Sequence, residues 1–370
     1  MYHMIIVQIA QSISLCRRKE CVPMNSRERV AMTIAHEEPD RVPVCATYTP
    51  EIEQKLREKY HPDGDLGVAM GNDMVKIASG LENSYYMTDK QKEYVCPYGI
   101  TWRNVYNETG HFTEIVVHPL QEDETLIYSY VMPRAEDATD VIEATKKAIE
   151  TYGREKWIIG SCQCSIFEAA WYLRGLDTFM MDLASEEDFV EPFLDKLMQF
   201  PLDMGLKFIE LGVDMVWLGD DVATQQNMMI SPAMWRKYLK PRYAKMFEAF
   251  KKANPNIKLC YHSCGNPSAI VDELVDIGLD VMNPIQPMAM EPSWFKQRFG
   301  KRVCMYGGMD VQRIMPFGSP EEVRQEVRRL IDTCAPGGGF ILSPAHHIQS
   351  DTSIENVDAF YSAAREFGAY

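Results

Sequence analysis

The sequence predicts an α/β protein built as a closed (β/α)8 TIM barrel with an antiparallel β meander inserted into it. Three observations lead there: eight short apolar runs of strand length, helix-start signals following them, and a length of 370 residues, which suits one large decorated barrel. Strands that alternate with helices pair in parallel, and eight such units close on themselves. A doubly wound open sheet shows the same alternation and is the second architecture compatible with it.

The globular pattern begins at Met24, so residues 1–23 are expected to be a disordered tail or a non-native extension, and residues 24–370 a single domain. The run Met4-Ile5-Ile6-Val7 is too short to cross a bilayer, and Arg17-Arg18-Lys19 follow it rather than precede it, the reverse of a signal peptide. Ser26 is placed to cap a helix carrying Val30, Ala31 and Ile34, which stops before Pro39. Residues 41–47 read as the first strand, 51–60 as a helix and 74–78 as the second strand. From about 81 to 135 the texture changes. Gly99, Asn107 and Gly110 punctuate stretches rich in Trp102, Tyr106, Phe112 and Ile115, the mark of an inserted meander. After a helix at 140–151, strands at 157–162, 213–218, 257–261, 280–285, 303–307 and 339–343 alternate with helices. Ser231-Pro232 opens one of these helices, Ser319 with Glu322 forms a capping box on another, and Thr352 with Glu355 forms a third.

Composition narrows the function. The chain has 38 Lys and Arg against 53 Asp and Glu, a net charge of -15, so it lacks the basic surface that nucleic acid or an anionic membrane requires. Small molecules and protein partners are the expected ligands. Ten cysteines without a disulfide-framework spacing suit a reducing compartment, and the protein is expected to be cytoplasmic.

In a TIM barrel the residues just after each strand share one rim and converge despite large separations in sequence. Here those ends are Cys162-Gln163-Cys164, Gly219-Asp220-Asp221, His262-Ser263-Cys264, Asn283-Pro284-Ile285-Gln286, Gly307-Gly308-Met309-Asp310 and Pro344-Ala345-His346-His347. Such a concentration of metal-ligating and acid-base side chains points to an active site. His262 and Cys264, two residues apart on an extended segment, project to the same side and present two zinc-type ligands. Taken alone, that spacing more often marks a buried Cys and a hydrogen-bonded His. Asp220 and Asp221 suit an acid-base or substrate-orienting pair, against the plainer reading of Asp221 as a loop cap. Gln286 and Asp310 read equally as substrate-facing groups or loop ties. Glu168 reads first as the partner of Ser165 in a capping box. Cys162 and Cys164 offer an alternative thiolate pair but, like Cys260, Cys304 and Cys334, are most simply core.

At these residues the chain resembles the uroporphyrinogen decarboxylase superfamily, and within it the zinc-dependent, corrinoid-linked methyltransferases. The resemblance runs from Arg27-Glu28-Arg29-Val30 and Pro39-Asp40-Arg41-Val42-Pro43-Val44 through Phe167-Glu168, Leu173-Arg174-Gly175 and Met181-Asp182-Leu183. It continues in Gly219-Asp220-Asp221 with Ser231-Pro232, in the strand ends from His262 to Asp310, and in residues 338–356. It implies zinc held by His262, Cys264 and a third ligand after the last strand, usually Cys in a Gly-Cys-Gly context, where this chain has His346. Histidine is itself a good zinc ligand. It further implies a methyl group moved between a small-molecule donor or thiol acceptor and a corrinoid carried by a partner protein. From their place at the strand ends, Asp220, Asp221, Gln286 and Asp310 are the candidate catalytic residues. A homodimer is a reasonable assembly. The superfamily also contains tetrapyrrole decarboxylases, whose Arg-Gln-Ala-Gly-Arg motif near the first strand is replaced here by Cys45-Ala46-Thr47-Tyr48-Thr49-Pro50. A substrate bearing many carboxylates needs several cations, which this segment lacks. The third reading is a corrinoid-binding protein without catalysis, which the loss of the usual third Cys leaves open.

Overall fold

The structure, a computed structural model, describes residues 24–107 and 110–370, so the expected tail lies outside the described residues. Strand β1 (Met74–Ala78) is followed by a three-stranded antiparallel sheet of β2 (Glu93–Val95), β3 (Thr101–Asn107) and β4 (Gly110–Val117), the inserted meander. Then come β5 (Trp157–Gln163), β6 (Met215–Gly219), β7 (Lys258–His262), β8 (Val281–Ile285), β9 (Cys304–Met309) and β10 (Phe340–Pro344). These six and β1 form one curled parallel sheet in the order β1-β5-β6-β7-β8-β9-β10, the arrangement of a TIM barrel.

The expected first strand, 41–47, is present as an irregular eighth stave rather than a regular strand. On the β10 side, Leu342 N–H donates to the Pro43 carbonyl at 2.9 Å and Cys45 N–H to the Leu342 carbonyl at 3.1 Å. Towards β1, Asp73 N–H donates to the Val44 carbonyl, and side chains supply the rest. Asp73 Oδ2 accepts from Val44 N–H at 2.8 Å, while the Asn72 amide bonds both the N–H and the carbonyl of Ala46 at 2.9 and 2.8 Å. Pro43 has no N–H to offer a ladder, and the carboxylate and amide take over the pairing.

Asp73 is fully buried and accepts from Arg29 at 2.8 Å and from Arg41 at 2.8 Å as well as from Val44. It thereby joins the first helix, Ser26–Ile34, to the closing stave and to β1. That helix is capped by Asn25 with Glu28, one residue earlier than the sequence suggests, because Asn25 is the residue in extended conformation. Likewise Ser353, not Thr352, caps Ile354–Phe367, whereas the Ser319 and Glu322 box forms as expected.

Alternation along the strands separates two cores. Met74, Ile159, Met215, Trp217, Cys260, Val281, Cys304, Tyr306 and Ile341 point to the barrel axis, with Val30 and Ile34 of the first helix packed into the same cluster. Val75, Ile158, Val216, Leu259, Met282, Met305 and Leu342 point outward into the core beneath the helices. The first helix bonds to residues just before β5 and β10, through Arg27 N–H to Glu155 and Gly339 N–H to Thr33, so it plugs the end where the strands begin. The opposite end is left for a site.

Removing the Asp73 carboxylate leaves buried Arg29 short of a partner and the stave without its anchor. Asp73→Ala is expected to cost about 3–5 kcal/mol, read as a lowered midpoint in urea unfolding. Asp40→Ala, which removes a partly exposed partner of Arg29, is expected to cost about 1 kcal/mol or less.

Candidate functional site

Above the apolar plug, the inward-facing positions turn polar. Lys76 on β1, Gln163 on β5, His262 on β7, Asn283 on β8 and Ser343 on β10 line a cavity of about 50 Å3 together with Trp217, Tyr306 and Cys45. His346 and His347, just after β10, complete its wall. His262 stands there because Cys260, two residues earlier, faces the axis, and strand parity repeats every second residue.

The imidazole of His262 is held in one orientation. Its Nδ1 lies 2.6 Å from Asn283 Oδ1, and Asn283 Nδ2 donates to the Tyr306 carbonyl, which sets which end of the amide faces the ring. Nδ1 therefore carries the proton and Nε2 presents a lone pair. Trp217 stacks on the ring with centroids 5.8 Å apart. Burial lowers the His262 pKa and favours the neutral, ligating form.

Two further ligand atoms meet that lone pair. Cys264 Sγ and Asp221 Oδ1 each lie 3.6 Å from Nε2. Asp221 Oδ1 also accepts from Cys264 N–H at 2.7 Å, and Gln286 Oε1 accepts from Gly265 N–H at 2.6 Å, so the turn after β7 is pinned from both neighbouring loops. Gly265 has φ +84, and a Cβ there would lie about 2.5 Å from the carbonyl oxygens of Thr224 and Ala223. Glycine is required at that position.

Among the described residues, Asp221, His262 and Cys264 form a group whose ligand atoms all lie within 4.8 Å of one another. A tetrahedral zinc ion with bonds of about 2.0–2.3 Å separates its ligand atoms by about 3.5 Å, so the two 3.6 Å spacings fit such an ion. Burial and then the Asp221 charge push the Cys264 thiol pKa upward. A divalent cation between these groups would reverse that preference and hold a thiolate.

Comparison with known proteins agrees with this architecture. The family described as Uroporphyrinogen decarboxylase (URO-D) matches residues 97–367. The chain belongs to the uroporphyrinogen decarboxylase family. Within or beside that family, it is 24% identical over 349 residues to the methylcobamide:CoM methyltransferase MtbA of Methanosarcina acetivorans, covering 92% of this chain and 98% of that one. It is 21% identical over 260 residues to the uroporphyrinogen decarboxylase of Trichodesmium erythraeum, covering 68% and 67% of the two chains. A solved methyltransferase from Methanosarcina mazei superposes with a TM-score of 0.70 at 21% identity, covering 93% of this chain and 99% of that one, which shows the fold is shared.

For this member of the uroporphyrinogen decarboxylase family, the remaining rim residues divide between the site and its scaffold. Asp220 and Asp221 point apart and do not form a carboxylate pair. Asp220 is fully buried, accepts from the N–H groups of Ile166 and Glu168 at 3.0 Å and from the Tyr243 hydroxyl at 2.5 Å, and caps the helix Phe167–Arg174. Burial pushes its pKa up to about 6. The capping box of Ser165 and Glu168 is absent because Ser165 Oγ bonds Cys162 and Gly219 instead. Glu168 is free to reach the site's edge, where Oε2 accepts from Asp221 N–H at 2.9 Å and Oε1 from the Tyr172 hydroxyl at 3.2 Å. Burial, followed by the charges of Asp221 and Asp220, raises its carboxyl pKa well above the usual range. Asp310 accepts from Gln312 and Arg313 N–H groups at 2.6 and 3.2 Å and shapes the turn after β9, while Gln286 serves as the loop tie described above.

His346 lines the cavity beside His347, with ring centroids 5.1 Å apart, but lies outside the group of three ligand atoms. Its ring is exposed on the rim, yet protein crowded around it and the nearby His262 lower its pKa. Cys162 lies 3.2 Å from Ser79 Oγ, and Cys164 lies beside the Tyr85 hydroxyl; neither joins the group. Cys260 and Cys304 are in the inner core and Cys334 in the outer one. Sequence reading missed the roles of Lys76, Trp217 and Asn283. The available signal was a polar or bulky residue at inward parity inside an apolar run.

The division between the two aspartates is testable. Asp220→Ala leaves two buried N–H groups and the Tyr243 hydroxyl without their acceptor and is expected to cost about 3 kcal/mol. Asp221→Ala, at a partly exposed side chain, should cost about 1 kcal/mol or less in stability. Thermal unfolding of the two variants beside the wild type reads the difference.

Proposed function

We propose that the protein is a corrinoid-dependent methyltransferase that moves a methyl group between a small molecule and a corrinoid carried by a partner protein. One Zn2+ would be held by His262, Cys264 and Asp221. The observation that carries this reading is the convergence of those three ligand atoms on a lone pair fixed by Asn283. The similarity to a protein named methylcobamide:CoM methyltransferase supports the same chemistry.

Bound zinc supplies Lewis acidity, holding a thiol deprotonated or drawing electrons from the leaving atom of a methyl donor. The chain's own residues do the rest. Asn283 keeps the imidazole neutral and aimed, Asp221 holds the Cys264 backbone, and Gln286 fixes the turn that follows. Trp217 and Tyr306, edge to face at 5.4 Å, floor the cavity and separate it from the plug below. His346, on the same cavity wall, is the competitor of Asp221 for the third ligand position. The corrinoid would approach from the open mouth, its cobalt chemistry coming with the partner.

Tetrapyrrole decarboxylation fits less well, because the one lysine lining the cavity is already paired with Glu82, and no cluster of cations is present there to meet many carboxylates. A binding role without catalysis leaves the converging ligand set without a purpose. Among the described residues no helix is long and apolar enough to cross a membrane. The cytoplasmic location and the homodimer belong to this proposal as well.

Elemental analysis with a methylcobalamin demethylation assay tests it. Wild-type protein from zinc-replete medium should hold about one zinc per chain, and His262→Ala, Cys264→Ala and Asp221→Asn should lose it with demethylation. His346→Ala should keep the metal. Zinc lost from His346→Ala but kept by Asp221→Asn would return the third position to His346, and a zinc-free wild type would sink the proposal. Asn283→Leu should weaken zinc affinity by about 10–100-fold, measured by chelator competition.

A further inference from the structure

The turn that carries Asp221 hangs on side chains. Gly219 N–H donates to Ser165 Oγ at 3.0 Å, Asp221 N–H to Glu168 Oε2 at 2.9 Å and Val222 N–H to Ser263 Oγ at 3.3 Å. Two of these acceptors are short serines whose hydroxyls also donate to nearby carbonyls, those of Cys162 and Cys264. Glu168 differs, because a long side chain with several rotatable bonds must be held from a second direction before it can hold anything else. Tyr172 supplies that hold. It lies four residues further along the helix Phe167–Arg174, on the same face, and its hydroxyl donates to Glu168 Oε1 at 3.2 Å.

The chain of contacts continues outward into the inserted sheet. The Tyr172 hydroxyl also bonds the hydroxyl of Tyr85, which follows the turn Gly80–Ser84 that leads from β1 into the insertion. Trp102 of β3 stands edge-on to both rings, with centroids 5.1 Å from Tyr85 and 5.8 Å from Tyr172. Such edge-to-face contacts fix the rings relative to one another. Trp102 and Tyr172 are buried in the same core that lies beneath the helices. Apolar contact alone keeps a sheet docked on a barrel, and phenylalanine at 85 and 172 would provide it. The two hydroxyls add something else, a continuous hydrogen-bonded path from the insertion to the turn after β6.

We propose that the inserted sheet braces Asp221: Tyr85 and Trp102 fix Tyr172, Tyr172 fixes Glu168, and Glu168 fixes the Asp221 backbone, so that Oδ1 stays 3.6 Å from His262 Nε2. This rests on the zinc and methyl-transfer reading above and gives the insertion a part in it. Tyr85, Trp102, Tyr172 and Glu168 are positioning residues, each acting through the next. Without the brace, the Asp221 carboxylate, on a partly exposed side chain, is free to swing toward solvent and leave the ion with His262 and Cys264.

Zinc affinity by chelator competition, with the visible spectrum of the Co2+-loaded protein, tests the brace. Tyr172→Phe keeps the ring and removes only the hydroxyl; it should weaken zinc binding about tenfold and shift the cobalt ligand-field bands. Glu168→Ala should do at least as much, whereas Glu168→Gln, which keeps an oxygen for the Asp221 N–H, should stay within about threefold of wild type. Tyr85→Phe, one step further out, should weaken binding about threefold. Arg103→Ala, at a partly exposed position of the same sheet, should change neither readout. Unchanged affinity and spectrum in Tyr172→Phe overturn the brace even if the melting temperature falls, because a merely structural hydroxyl would lower stability alone. Zinc retained by Asp221→Asn overturns it as well, since every link acts through that residue. The two readings fail separately. Zinc affinity that follows Tyr172 and Glu168 in protein that does not demethylate methylcobalamin upholds the brace and overturns methyl transfer. Demethylation with zinc affinity indifferent to Tyr172→Phe does the reverse, and a wild type without zinc overturns both.

Discussion

Alternation of side chains across a closed parallel sheet is the constraint on which the rest of this structure depends. Because every second residue of a strand faces the axis, Cys260 and His262 occupy one column, Val281 and Asn283 the next, and Cys304 and Tyr306 the one after. The lower members of these columns are apolar and pack against Val30 and Ile34. The upper members are polar and meet in the cavity. A slip of one residue in any strand would send its upper residue into the helical layer. The plug below also keeps water away from the floor of the site, which strengthens the bond between His262 and Asn283 and the Lys76 and Glu82 pair.

Where the strands end, parity gives way to turns, and adjacent residues separate in function. Asp220 turns back into the fold to cap a helix and meet Tyr243, whereas Asp221 turns to the mouth and to Cys264. Glu168 bridges the two by accepting from the Asp221 backbone. The candidate site is therefore positioned by groups other than the candidate ligands themselves. Asn283 sets a tautomer, Gln286 and Gly265 set a turn, and Asp73 closes the barrel that brings β1 and Lys76 around to face β7.

The fold was readable from the chain because its strands are short apolar runs between helix caps, and the convergence of strand ends follows from barrel geometry alone. His262 and Cys264 were readable for the same reason, two residues apart on an extended segment. Capping was readable only to within a residue, since Asn25 and Ser353 lie next to residues of equal capping ability. The roles of Asp220 and Asp221 could not be separated, because which of two consecutive carboxylates faces the mouth depends on the turn after β6 and on Tyr243, which lies more than twenty residues on. Lys76 was overlooked because it sits within a strand, and the role of Asn283, named only as part of a strand end, was not assigned, because attention to strand ends passes over what a polar residue does one layer below the rim. The choice between Asp221 and His346 is likewise set by how two loops fold and is not written in the spacing of either.

In the proposed zinc site, one histidine, one cysteine and one aspartate at the top of the barrel would hold the ion. X-ray absorption at the zinc edge of the purified protein measures that set directly. With these ligands the ion should show one sulfur at about 2.3 Å and the remaining scatterers nitrogen or oxygen at about 2.0–2.2 Å. A shell with two or more sulfurs, which would draw in a cysteine this structure keeps in the core, would contradict it.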